Sequence, residues 1–132
     1  MMLRYFQGEG TNNCFAVCIG CLVEQDPATI PNFCFVAPNW RKSTNKWLSK
    51  IGMFYLDVNL TGDARDELIK DWGWHVISGE GPRGNRHSVI GYQGEVEHDP
   101  YPNGGGLIDA PDDWDYGFLI PTGRPPELRQ PQ

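Results

Sequence analysis

Among the four cysteines and three histidines of this 132-residue chain, one of each stands where it could do covalent chemistry. Cys14 follows a polar, glycine-broken run from Gln7 to Asn13 and opens an almost wholly apolar run from Phe15 to Val23. Asn is a good helix N-cap, because its side-chain oxygen can accept from a free N–H of the first turn. Asn12-Asn13 therefore predicts a helix beginning at Cys14. There the helix dipole and unpaired N–H groups favour negative charge, which lowers a thiol's pKa and frees the nucleophilic thiolate. His87 opens one apolar run and Asp99 closes the next charged one. An imidazole that takes the thiol proton, itself oriented by a carboxylate, would complete a nucleophilic triad of Cys14, His87 and Asp99. Gln7 and the Cys14 N–H are the expected oxyanion donors, with Asn12 or Asn13 as alternatives.

Whether His87 and Asp99 meet depends on a hairpin. A two-residue Gln93-Gly94 turn would pair Ile90 with Glu97 and His87 with Pro100. A three-residue Tyr92-Gln93-Gly94 loop, with glycine in its left-handed closing position, would pair Ile90 with Val96 and His87 with Asp99. The second register matches apolar with apolar and sets imidazole directly opposite carboxylate, so it is the one expected.

Each candidate has a plainer reading. Cys14 alone is better explained by packing, and its catalytic reading depends on His87 and Asp99 occurring with it. His98 should face away from His87 and be structural or solvent-facing. His75, between Trp74 and Val76, reads as packed or at an edge. Glu95 and Glu97 charge a hairpin rim. Asp109, Asp112, Asp113 and Asp115 form an acidic loop that is better read as solvated than as a cation site. Cys14, Cys18 and Cys21 share the C-x3-C-x2-C spacing of the cluster loop in radical S-adenosylmethionine enzymes, and three thiolates can ligate an iron–sulfur cluster. Those enzymes need a far longer barrel, and positions i, i+4 and i+7 form one helical stripe. Cys18 and Cys21 are thus expected as small core hydrophobes. Zinc through these three and Cys34 lacks the paired knuckle spacing of structural sites. No metal or other cofactor is expected, and a metal or cluster protein is the least favoured alternative.

These residues need elements to position them. The central helix should run from Cys14 to about Glu24 and stop at Asp26-Pro27, with a short turn over Ala28–Ile30. A second helix should start at Asn39, with Trp40, Trp47, Leu48 and Ile51 on one face and Gly52 closing it. Phe54, Leu56, Val58 and Leu60 alternate with Tyr55, Asp57 and Asn59, a strand signature. A short helix over Asp63–Trp72 and a strand over Trp74–Ser78 follow. A loop over Gly79–Arg86, the hairpin, a glycine-rich loop over Pro100–Gly106 and a last strand near Tyr116–Ile120 complete the chain. Helices first and strands later is an α+β order.

The length suits one domain over residues 1–132, with 121–132 as a surface tail. A net charge of −6 argues against a nucleic-acid partner. No apolar run reaches membrane-spanning length and the first residues do not read as a signal peptide, so no membrane partner is expected and the expected compartment is the cytosol. Disulfides are then not expected. No oligomeric state is implied.

The motif order resembles the papain-like cysteine peptidase superfamily. It is closest to the C39-like, bacteriocin-leader type and to small papain-like proteins of bacteriophages and bacteria. The likeness rests on Gln7, the Cys14-led helix, Ile30-Pro31-Asn32-Phe33, Arg86-His87-Ser88-Val89-Ile90 and His98-Asp99-Pro100-Tyr101-Pro102, and spans roughly Gln7 to Pro121. Gln7 stands one residue further from the cysteine than is usual in the family. Asn13 stands where that branch often has Asp, and Val17 where it is small. The resemblance implies a papain-like core, a buried helix on a small antiparallel sheet. It implies hydrolysis or transfer at an amide or thioester of a peptide or protein substrate through an acyl-cysteine, in a host's cytoplasm if phage-encoded. Trp74, Tyr101 and Trp114 are the candidate cleft walls, and the loops Gly79–Arg86 and Asn103–Gly106 candidate clamps on a peptide-like chain. The alternative from another class is a papain-fold binding protein without turnover, such as a phage protein that captures a host factor.

Overall fold

The computed structural model describes residues 4–7, 13–36 and 39–123. Residues 8–12, with Asn12, and residues 124–132 of the expected surface tail lie outside the described residues. Helix α1 runs over Cys14–Val23, α2 over Trp40–Ser49 and α3 over Gly62–Ile69. Strands β1 (Met53–Asn59), β2 (Trp74–Glu80), β3 (Arg86–Tyr92), β4 (Glu95–His98) and β5 (Asp115–Pro121) form one antiparallel sheet in the order β1-β5-β2-β3-β4. The fold is α+β.

Helix α1 owes its place to its apolar sequence: every residue from Phe15 to Cys21 is buried. Each such aliphatic or aromatic side chain withdrawn from water contributes about 1.5–3 kcal/mol. The helix lies against β2 and β3 and stops at Glu24, a left-handed cap (φ 58) whose N–H donates to Gly20 O. Asp26 then starts a 3-10 turn over Pro27–Thr29, its carboxylate accepting from Ala28 N–H at 2.9 Å. Neighbouring strand residues serve opposite faces. Val76 and Ile90 join the core under α1, whereas Ile77 and Val89 join a second core with Ile69, Tyr116 and Phe118.

Three expectations about the strands are corrected. In β1 the alternation is present, but burial does not follow its aliphatic members. Tyr55 is buried, and Phe54 and Leu56 are exposed. The Tyr55 face is the one covered by α1 and α2, where its ring meets Phe15 and Trp40 edge-on at 5.1 and 6.3 Å between centroids. Asn45 on α2 fixes this contact, its amide oxygen accepting from Tyr55 N–H at 2.7 Å and its amide donating to Tyr55 O at 3.3 Å. Ile51, expected on the inner face of α2, lies past the helix and is exposed. The loop after β2 is shorter than Gly79–Arg86, because Gly79 pairs with His87 and Glu80 with Arg86.

The third correction concerns the hairpin. The turn is the two-residue one: Gln93 (φ 53) and Gly94 (φ 85) both adopt positive φ, the twist that suits a tight hairpin. Tyr92 pairs with Glu95 and Gly91 with Val96, and then the register slips so that Ile90 faces His98. The extra residue, Glu97, is a β-bulge. It turns His98 inward, where its Nε2–H donates to Tyr5 O at 2.6 Å. Arg4 reaches Glu97 O at 2.8 Å, and Gln7 N–H donates to Pro100 O at 2.8 Å. Residues 4–7 thus lie along the outer edge of β4 and the turn beyond it. His75 is neither exposed nor at an edge. It lies on interior strand β2, donates Nδ1–H to Gly73 O at 2.8 Å and packs near Tyr116 and Phe118. Burial pushes its pKa down.

Candidate active site

Cys14 is the first residue of α1 and half-buried. Asn13 holds the cap position but with φ −108 and ψ 28, outside the extended geometry of a capping side chain, and it makes no side-chain cap bond. The first-turn N–H groups have no intrahelical acceptor, and that of Phe15 helps to lower the pKa of the Cys14 sulfur. A second N–H arrives from the sheet. Strand β4 ends at His98, so at Arg86–Val89 the outer edge of β3 has no strand beside it among the described residues. There Ser88 N–H and the His87 imidazole stand by the Cys14 sulfur, and both help to lower its pKa.

His87 is held from its other side. Its Nε2–H donates to Asp99 Oδ1 at 2.6 Å, with both side chains largely withdrawn from solvent. Nδ1 is thereby left for Cys14. The Asp99 carboxylate is fixed in turn, Oδ1 accepting from Tyr101 N–H at 2.9 Å and Oδ2 from Gly106 N–H at 2.8 Å. The second glycine-rich loop therefore braces the carboxylate.

The charges follow from these contacts. Burial pushes the Cys14 thiol up, but the hydrogen bonds from His87 and Ser88 N–H, the imidazolium charge and Phe15 N–H outweigh it, so its pKa lies below the ordinary thiol value. Burial pushes His87 down, yet its bonds to Asp99 and Cys14 and their charges carry it up to about 9. Burial raises Asp99, whereas His87, Tyr101 N–H and Gly106 N–H hold it below the usual carboxylate range. Each shift moves its group toward the charged form, a thiolate, an imidazolium and a carboxylate.

The other cysteines differ. Burial pushes Cys18, Cys21 and Cys34 up, which keeps them as thiols. Cys18 and Cys21 are buried residues of α1 itself, and Cys21 Sγ accepts from Tyr5 N–H at 3.3 Å. Among the described residues no three His, Cys, Asp or Glu side chains converge as metal ligands. The acidic loop is shared out separately: Asp109 accepts from Trp114 Nε1–H, Asp112 pairs with Arg65, and Asp115 pairs with Arg86.

Two depressions meet at Cys14. The larger, about 170 Å³, has a floor of Phe15, Trp40 and Tyr55 and also reaches Cys34. Its lining includes the ion pair Arg86–Asp115 at 2.8 Å and Asp57, which pairs with Arg41 at 2.7 Å. Ser78 and Ser88, paired across β2 and β3, share a hydroxyl hydrogen bond of 2.8 Å along its wall. The smaller, about 50 Å³, lies on the His87 side between Gly81, Arg83, Asn85 and Arg86.

The cleft walls are not the aromatics expected from sequence. Trp74 packs at a tilt against Tyr92, Trp114 lies by Tyr116 on the far core, and the Tyr101 ring sits under Arg83, 3.5 Å from its guanidinium carbon. None of the three lines either depression at Cys14. Trp40 and Tyr55 do, and sequence gave them only as helix-face and strand residues. Their common target emerges when α2 folds onto β1. Gln7 is buried beside the turn that carries Asp99, its N–H on Pro100 O. Comparison with protein-family models, with curated proteins and with solved structures finds no match to this chain.

Proposed function

We infer that the protein is a cysteine hydrolase, papain-like in its core, acting at an amide or thioester of a peptide or protein. The carrying observation is the chain of contacts from the Cys14 sulfur through His87 to Asp99, built at the tip of a buried helix. The base is hydrogen-bonded to its orienting group at 2.6 Å, and it stands beside the nucleophile, whose pKa it lowers.

In this reading the Cys14 thiolate attacks the substrate carbonyl carbon and the C–S bond forms. The carbonyl oxygen becomes an oxyanion, for which the Cys14 N–H, with Gln7 or Asn13, is the assigned donor set. The C–N bond then breaks as His87 gives its Nδ1 proton to the leaving nitrogen. Water enters, His87 takes a proton from it, and the acyl-cysteine is hydrolysed to a carboxylic acid and free thiolate. The aromatic floor of the larger depression suits an apolar group on the acyl side.

Alkylation of Cys14 by iodoacetamide at mildly acidic pH tests the reading. The expected result is a rate above that of free cysteine at the same pH, lost in His87→Ala. An unreactive Cys14 would sink the hydrolase reading and leave the non-catalytic binding protein.

A further inference from the structure

We propose that the small depression on the His87 side of Cys14 is a subsite for a carboxylate carried by the leaving group. This deepens the cysteine-hydrolase reading and rests on it.

Direction comes from the proton. The leaving nitrogen takes its proton from His87, and His87 lines the smaller depression and not the larger. The departing part of the substrate therefore lies among Gly81, Arg83, Asn85 and Arg86, and the acyl part over Phe15, Trp40 and Tyr55.

Charge supplies the ligand class. The chain carries a net charge of −6, yet every ionisable side chain around this depression other than Cys14 is basic. Arg86 is shared with Asp115 at 2.8 Å and with Ser78 O at 3.3 Å. Arg83 has no ion-pair partner among the described residues. Its guanidinium is instead steadied from below by the Tyr101 ring and by Gly104 O, to which Nη1 donates at 3.2 Å. A guanidinium held by a ring face and a carbonyl keeps donors for a planar carboxylate. The volume of about 50 Å³ suits a small group of a few atoms, since one water needs roughly 10–15 Å³ of such space. Such a carboxylate is either the α-carboxylate of a C-terminal residue or the acidic side chain of the residue after the scissile bond.

Two measurements test this. In the first, Cys14 is alkylated by iodoacetate and by iodoacetamide, and the rate ratio is compared with that of glutathione. We expect a ratio above that of glutathione, falling about fivefold in Arg83→Gln, the scale of one exposed charge contact, and unmoved in Lys50→Gln. An equal ratio in wild type and Arg83→Gln, with Cys14 still alkylated by iodoacetamide, overturns the subsite and spares the hydrolase reading. No alkylation by iodoacetamide overturns both. In the second, N-blocked Phe-Gly, Phe-Gly amide and Phe-Asp amide are compared by kcat/KM. Preference for the first assigns an α-carboxylate, and preference for the last an acidic side chain. Equal values for all three overturn the subsite.

Discussion

His87 Nε2 lies 2.6 Å from Asp99 Oδ1, although the two residues are not partners across the β3–β4 ladder. The ladder ends with Ile90 opposite His98, after the bulge at Glu97. Asp99 is the first residue beyond β4, free of strand geometry, and its carboxylate is positioned by the N–H groups of Tyr101 and Gly106. The contact depends on the turn that follows the strand rather than on strand register.

Asp99→Ala therefore removes three interactions at once. The expected loss of folding stability is about 3 kcal/mol, the usual cost of breaking a largely buried charged pair from one side. Urea unfolding measures it. Asp99 is also a principal cause of the raised His87 pKa, so the alkaline limb of kcat/KM should move to lower pH in the variant.

The pH dependence of the intact site follows from two shifts of opposite sign. Cys14 lies below the ordinary thiol value, so nucleophile appears as pH rises through that lowered value. His87, up at about 9, stays protonated and able to serve the leaving nitrogen until pH rises past that point. Turnover should fall above about pH 9, whereas alkylation of Cys14, which needs only the thiolate, should not. In His87→Ala turnover should drop by roughly 10²–10⁴-fold. Parallel pH profiles of the two reactions are the measurement.

Asn45→Ala should loosen the aromatic floor of the larger depression. Its side chain satisfies both backbone groups of Tyr55 on edge strand β1. Removing it should cost about 1–3 kcal/mol, the range for stranding such groups. It should also raise KM more than it lowers kcat for substrates with an apolar acyl side. Thermal unfolding and steady-state kinetics report the two effects separately.

Gly117→Ala tests the same floor by crowding. A Cβ at Gly117 would fall within 1.8 Å of the Tyr55 hydroxyl oxygen, so the ring crosses that glycine directly. The ring must move or β5 must shift, at an expected cost of about 1–3 kcal/mol for overpacking. Tyr55→Phe in the Gly117→Ala background removes the nearest atom and should recover part of the loss. No recovery in thermal unfolding would contradict this account of the clash.

The residue types and the local punctuation of the sequence determined most of the elements. The apolar run after Asn13 makes α1 a buried helix because no face of it can be left in water. Its first residue, Cys14, must then stand at a helix N-terminus. The β-branched runs about Val76 and Val89 make strands, and Gln93-Gly94 makes a turn between two of them. Packing decided what these local signals do not encode. Which face of β1 is buried depends on α2 covering Tyr55, and alternation alone is symmetric between the two faces. The hairpin register depends on the bulge at Glu97, which His98 stabilises through a carbonyl 93 residues away in sequence. The meeting of Cys14, Ser88 N–H, His87 and Asp99 required β4 to end early and leave the β3 edge open. Those are contacts between segments distant along the chain, and no short window of sequence contains both partners.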